Sequence, residues 1–183
     1  MLISFCGAQS TGKSTLLQAC KQLDIFKDYT FVDEVTRRIK KTHEVEINAD
    51  AEDYNYTQTL IIADHIRNSK LKNAVLDRCI VDGFLYTYYL YQRGKVSGYV
   101  AGFAGDICQE LIKRYDIIFL TEADIPLASD GERSNDAEFR DTMVRAFDRM
   151  CSDLERGQKP RIVRLKGSVE ERMELIKKAV ANS

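Results

Sequence analysis

The sequence predicts an α/β fold, a parallel sheet with helices on both faces. Three observations carry this. Short apolar runs of strand length alternate with helix-period segments along the whole chain. A glycine loop, Gly7 to Ser14, joins the first such run to the first helical segment. Charged pairs, Asp33-Glu34 and Asp77-Arg78, close two of the apolar runs. In an open parallel sheet the carboxyl ends of the strands are where ligand groups gather.

Leu2–Cys6 is a short apolar run, broken only by Ser4, and reads as a buried strand. Residues 15–23 carry Leu16, Leu17, Ala19, Cys20 and Leu23 at helical spacing. Phe31-Val32 is a second, short strand, and residues 35–41 read as helix. Residues 44–50 are polar and read as loop. Residues 53–72 lack Gly and Pro and place Leu60, Ile61, Ala63, Ile66 and Leu71 on an imperfect helical stripe. Residues 74–76 form a third strand, and residues 82–92 an aromatic-rich helix that stops near Gly94. The glycines of residues 98–105 predict a mobile connection, with helix resuming over 107–114. Residues 117–120 are the clearest buried strand. Residues 122–135 contain Pro126 and Asp130-Gly131 without periodicity and read as a loop of functional length. A helix over 136–156, a strand at Arg161–Leu165 and a capping box from Ser168 to Glu171 complete the pattern.

No repeat, linker or low-complexity tract interrupts the 183 residues, so residues 1–183 are expected to form one domain. The net charge is -1 with 30% charged residues, so any nucleic-acid contact must come from a local patch. The five cysteines (Cys6, Cys20, Cys79, Cys108 and Cys151) lack C-x-x-C spacing, which argues against zinc and disulfide frameworks and for buried thiols in a reducing compartment. The apolar run at residues 2–6 leads straight into the glycine loop and is read as a strand, not a signal peptide. No run approaches the roughly 20 apolar residues of a membrane span. The expected setting is the cytoplasm.

Gly7-Ala8-Gln9-Ser10-Thr11-Gly12-Lys13-Ser14 matches the phosphate-binding loop in full, between a strand and a helix as the motif requires. Its backbone N–H groups would wrap phosphates, with the helix N-terminus adding partial positive charge. Lys13 would reach the β- and γ-phosphates, and the Ser14 hydroxyl would ligate Mg²⁺. This reads as a site for ATP·Mg²⁺ over residues 7–15, Thr15 included. Asp33 and Glu34 follow the second strand, where a carboxylate can take a proton from an acceptor hydroxyl. An acidic pair capping the next helix is the alternative, and both stand for each residue. Asp77 is a candidate for Mg²⁺ or its water shell, and Arg78 for acceptor or transferring oxygens. Arg133, in Ser129-Asp-Gly-Glu-Arg-Ser, is a candidate to neutralise charge in the transition state, although alone the segment reads as a turn.

The ordered set resembles the P-loop kinases of the nicotinamide riboside kinase type, a group with many phage members often labelled AAA-like ATPases. The pattern is the phosphate loop, then Asp33-Glu34 with Arg37, then Leu76-Asp77-Arg78 with Asp82 and Tyr86. Tyr115-Asp116 leads into a strand, Asp130-Gly-Glu-Arg133 precedes Glu138-Phe-Arg140, and Gly167-Ser168 runs to Glu170-Glu171-Arg172. Asp77-Arg78 is also similar to deoxynucleoside and thymidylate kinases. The resemblance implies a P-loop kinase fold with a five-stranded parallel core, and an arginine-bearing lid at about residues 122–140 holding Arg133 and Arg140. It also implies an adenine-side loop around Gly167 to Arg172, with Gly167 and Ser168 on the nucleotide, and an acceptor hydroxyl near Asp33, Glu34 and Arg78.

One departure bears on the acceptor. Arg37, Arg38, Lys40 and Lys41 follow the candidate base directly, more cations than a neutral nucleoside needs. A phosphorylated or polymeric acceptor would use them, Arg37 and Arg38 first. Phage relatives include kinases acting on hydroxymethyluracil within DNA, so DNA is a candidate partner beside a free nucleoside. Rival readings are an NTP-dependent regulatory switch and a nucleotide-binding module without chemistry. Tyr54, Tyr56, Tyr86, Tyr88, Tyr89 and Tyr91 are expected mostly in the core, and His43 and His65 in structural roles.

Overall fold

The computed structural model describes residues 1–43, 53–124, 137–157 and 160–183. The strands are β1 (Leu2–Cys6), β2 (Thr30–Val32), β3 (Ala74–Asp77), β4 (Ile117–Thr121) and β5 (Arg161–Leu165). They form one five-stranded sheet in the order β2-β3-β1-β4-β5, parallel at every pairing. The helices are α1 (Lys13–Cys20), α2 (Val35–His43), α3 (Tyr54–Asn68), α4 (Ile80–Gln92), α5 (Gly98–Leu111), α6 (Ala137–Leu154) and α7 (Val169–Ala181).

The strand period of two splits the core into two layers. Ile3 and Phe5 point to one face, where they join Leu16 and Leu17 of α1 and Ile176 and Val180 of α7. Leu2 and Cys6 point to the other, against Ile80, Val81 and Leu85 of α4, Ala104 and Cys108 of α5, and Phe147 and Cys151 of α6. A sheet buried on both faces needs continuous apolar strands, and β1 and β4 are buried at every position. A smaller cluster of Val35, Ile39 and Ile61 docks α2 on α3. All five cysteines are buried free thiols, as expected. No described helix is long and apolar enough to cross a membrane.

Two expectations are corrected. The connection predicted over residues 98–105 is helical, and α5 runs unbroken from Gly98 to Leu111. Ser97 caps it by accepting from Val100 N–H at 3.3 Å. The glycines, each worth about 1 kcal/mol against a helix, let α4 approach: a Cβ on Gly105 would lie 3.3 Å from the Phe84 ring. Ala101, Ala104, Cys108 and Leu111 supply the buried stripe. The tyrosines are not mostly core. Tyr56, Tyr88 and Tyr91 are exposed, while Tyr86 and Tyr89 pack on the core against Phe139. The run of α4 has apolar character on too many faces to bury them all. His65 is buried, and desolvation pushes its pKa down to about 3, so it is a neutral imidazole under ordinary conditions.

Boundary shifts have local causes. α1 begins at Lys13 because Gly12, at φ 87°, turns the loop directly into the helix. α4 begins at Ile80 because Asp82 occupies the third helical position and accepts from the Cys79 N–H at 3.0 Å. Residues 44–50, and residues 125–136 of the expected lid with Arg133, lie outside the described residues.

Candidate active site

Because all strands run parallel, their carboxyl ends share one edge of the sheet. The phosphate loop leaves β1 there, Glu34 follows β2, Asp77 and Arg78 end β3, and Thr121 ends β4. The strand order turns around β1, which has β3 on one side and β4 on the other, and crevices open at such a switch point. Gly7 has no alternative here. Its φ is 134°, and a Cβ would lie 2.7 Å from the Thr121 hydroxyl oxygen and 2.8 Å from the Thr121 carbonyl oxygen.

The loop is held before any ligand is considered. Thr11 and Thr121 share a 2.6 Å hydrogen bond between hydroxyls, and the Thr11 hydroxyl donates to the Ala8 carbonyl at 3.0 Å when Thr121 supplies the shared proton. The Lys13 ammonium donates to the Gly7 carbonyl at 2.9 Å and to the Ala8 carbonyl. Burial pushes its pKa from 10.5 down to about 8, and the nearby Arg78 charge adds to the effect. A phosphate oxygen, carrying formal charge, is a stronger acceptor than those carbonyls. The Ser14 hydroxyl donates to the Asp77 carboxylate at 3.0 Å. Two hard oxygen donors at this separation suit Mg²⁺, which takes few protein ligands and completes its shell with water and phosphate.

A second cluster lies on the β2–β3 side. Arg78 has a left-handed backbone, φ 79°, rare for a residue with a Cβ and a mark of a constrained position. Its N–H donates to the Phe5 carbonyl at 2.9 Å. Its guanidinium donates to Glu34 at 2.7 Å and to Asp82 at 3.1 Å, and stacks on Tyr86 at 5.2 Å. Burial opposes the Arg78 charge, but Glu34, Tyr86, Asp82 and Asp77 outweigh it and its pKa rises. Burial raises the Asp82 pKa, with Arg78 opposing. The arrangement holds one carboxylate, Glu34, at the sheet edge with its orientation fixed by a buried arginine.

A third feature ties the loop to the far side of the sheet. Arg172 of α7 is 2% exposed. It donates to the carbonyls of Thr11 at 2.8 Å, Gly167 at 3.0 Å and Glu122 at 3.4 Å, and pairs with Asp124. Gly167, at φ 86°, is a position where a Cβ would collide with Glu171. A cleft of about 630 Å³ opens beside it, lined by Asp124, Lys166, Glu171, Glu174, Leu175 and Lys178. Arg172→Ala would strand these acceptors. The expected loss is about 3 kcal/mol, the low end for breaking a buried pair because Asp124 is partly exposed. Urea unfolding, read as a shift in midpoint at constant slope, checks it.

The other residues singled out from sequence fall as follows. Ala8, Gln9 and Ser10 form the loop tip, and Thr15 lies exposed in the first turn of α1. Asp33 points outward, 76% exposed, with Lys21 at 3.4 Å. Arg37 reaches Glu34 at 3.4 Å, and Arg38 is held by Asp64, with Nε at 2.9 Å. Arg140 lies half-buried in the first turn of α6. Ser168 caps α7, accepting from Glu171 N–H at 3.2 Å. The structure thus brings Ser14 to Asp77 and Glu34 to Arg78, and separates Asp33 from Glu34. Sequence reading assigned no role to Thr121, and took Arg172 only as the end of the adenine-side loop that the resemblance implies. Thr121 carries no local signal. Arg172 does, as an arginine five residues past a glycine turn.

Residues 2–172 match the AAA domain family. No curated protein sequence matches significantly. Among solved structures, deoxyadenosine kinase from M. mycoides with bound dCTP is similar at TM-score 0.70 and 14% identity, covering 100% of both chains. NadR protein in complex with NAD and AMP-PNP is similar at TM-score 0.67 and 15% identity, over 98% of this chain and 49% of that one. The YorR protein of Bacillus subtilis, in complex with phosphorylated GDP, is similar at TM-score 0.60 and 13% identity, over 99% and 96%. At these identities the likeness is one of fold, and it is the P-loop kinase fold. The family match covers nearly the whole chain, and so the protein belongs to the AAA domain family.

Proposed function

We propose that the protein is an ATP-dependent kinase that transfers the γ-phosphate to a hydroxyl of a nucleoside-type or nucleotide-type acceptor. The observation that carries this is Glu34, 9% exposed, held at 2.7 Å by Arg78 at the same sheet edge as the phosphate loop. A simple nucleotide binder has no use for an oriented carboxylate beside its phosphates. Glu34 takes the proton of the acceptor hydroxyl as that oxygen bonds to the γ-phosphorus. The bond to the β-phosphate oxygen breaks and ADP leaves. Lys13 neutralises charge on the phosphates, and Arg78 holds Glu34 in its orientation. Mg²⁺ held by Ser14 and Asp77 would offset charge on the β- and γ-oxygens. The similar structures support the acceptor class, since they include a deoxyadenosine kinase and NadR in complex with NR.

The test is transfer from γ-labelled ATP to a panel of free nucleosides, mononucleotides, unmodified DNA and hydroxymethyluracil DNA. A labelled product supports the reading. ATP hydrolysis without any labelled acceptor overturns it in favour of a regulatory switch.

A second acceptor reading, a hydroxymethylated pyrimidine within DNA, is favoured by one surface. Arg37 is 55% exposed on α2, with exposed Lys40 and Lys41 following it, and Tyr56, Tyr88 and Tyr91 are exposed aromatics of the kind on which unstacked bases can rest. Arg38 is 38% exposed and held by Asp64, whereas Arg37, although it reaches Glu34 at 3.4 Å, is 55% exposed, so Arg37 and Lys41 are the probes a backbone phosphate meets first. If DNA is the acceptor, log binding should fall with log salt at a slope of roughly -0.7 to -0.9 per phosphate neutralised. Arg37→Gln/Lys41→Gln should then flatten that slope while leaving the ATP KM nearly unchanged. Activity confined to free nucleosides and indifferent to both changes removes the DNA reading.

A further inference from the structure

The first half of the phosphate loop holds a group that phosphate chemistry leaves unused. Gln9 is 5% exposed, and neither the oxygen nor the nitrogen of its carboxamide has a hydrogen-bond partner among the described residues. Burying an amide without partners is unfavourable, and interior amides are nearly always paired. A bound ligand can supply the partner. An ionised triphosphate offers acceptors only, so it can satisfy the Gln9 nitrogen and never the oxygen. A partner for both atoms has to give and to take a hydrogen bond. A sugar hydroxyl does so, and so does the amide edge of a base.

Position separates the two sides of the loop. Ala8, beside Gln9, packs in the same core cluster as Phe147. Phe147 meets Tyr86 at 6.1 Å, Tyr86 underlies Arg78 at 5.2 Å, and Arg78 holds Glu34. This row leads from the loop tip to the candidate base. The Tyr86 hydroxyl on it lies beside the Arg78 guanidinium and has no other partner among the described residues. On the opposite side the Thr11 carbonyl is already taken by Arg172, next to Gly167. The Thr11 carbonyl is thus satisfied from the Gly167 side, while the Gln9 carboxamide is not.

We propose that Gln9 is a specificity-determining residue of the acceptor site. Its carboxamide recognises an acceptor group that both donates and accepts a hydrogen bond, with the Tyr86 hydroxyl further along the same row. The proposal rests on the kinase reading above. It assigns the Gln9 side chain to the acceptor, while the loop backbone serves ATP.

Gln9→Leu is close in size and removes both polar atoms. It should leave the ligand-free Tm unchanged or higher, because no hydrogen bond is lost. It should raise the acceptor KM about tenfold or more and leave the ATP KM within about twofold. Deoxynucleosides lacking one sugar hydroxyl, and nucleosides altered at the base edge, separate the two sources. The analogue that already lacks the recognised group should lose nothing further in Gln9→Leu. Gln9→Asn, which keeps both atoms but withdraws them, should raise the acceptor KM as well and guards against misfolding of the first variant. An acceptor KM unmoved in both variants, or a rise in the ATP KM alone, overturns the proposal and leaves the kinase reading intact. Absence of transfer by the unaltered protein to any acceptor overturns both, and is seen before any variant is made.

Discussion

Lys13→Ala is expected to abolish measurable phosphoryl transfer, with a loss of at least about 10²–10³ in turnover, while the protein stays folded. The ammonium lies in the loop and bonds only to loop atoms, so no core contact goes with it. Its pKa gives a second handle. Below about pH 8 Lys13 is charged in both the folded and unfolded chain, and burying that charge costs stability. Between about 8 and 10.5 only the unfolded chain keeps the proton, so stability should rise with pH across that window. The rise should be absent from Lys13→Ala. ATP needs the charged form, so its affinity should weaken as pH passes about 8. Turnover, thermal unfolding and nucleotide titration at pH 7 and pH 9 check the three statements. Near-normal turnover in the variant would remove the phosphate-loop assignment.

Glu34→Gln is expected to lower turnover by about 10²–10⁴, the range for losing a general base, with little change in ATP affinity. Asp33→Asn should change turnover by less than about threefold, since an exposed ion pair of this kind is worth little. The contrast follows from orientation. Glu34 turns inward to Arg78, and Asp33 points to solvent beside Lys21. Glu34→Gln also deprives the Arg78 guanidinium of a charged partner, so thermal unfolding must accompany the kinetics. Equal, small effects from both changes would mean that the pair serves only the start of α2.

The contrast between neighbours shows what a sequence can carry. Strand and helix positions were legible because burial on both sheet faces forces continuous apolar strands, as in Leu2–Cys6 and Ile117–Thr121. The phosphate loop was legible because its chemistry requires fixed spacing within one turn. Asp33 and Glu34 could not be separated, because which of two adjacent residues faces inward depends on β2 ending at Val32 and on Arg78 arriving from β3. α5 was misread because glycine propensity is local, while the aromatics of α4 that exploit the missing side chains lie elsewhere in the chain. Thr121 was invisible because its partner Thr11 is 110 residues away.

The clasp of Arg172 on Thr11 spans 161 residues. At a synthesis rate of about 5–20 residues per second, roughly 8–30 s separate the making of the loop from the making of its clasp. β1 also waits for both of its neighbours, β3 and β4, before it belongs to a sheet. The loop is made before β3, β4 and α7, and it acquires all its supports only when the last of these is in place. A growing chain therefore cannot lean on ATP to organise itself, and nucleotide affinity should appear only once α7 has docked.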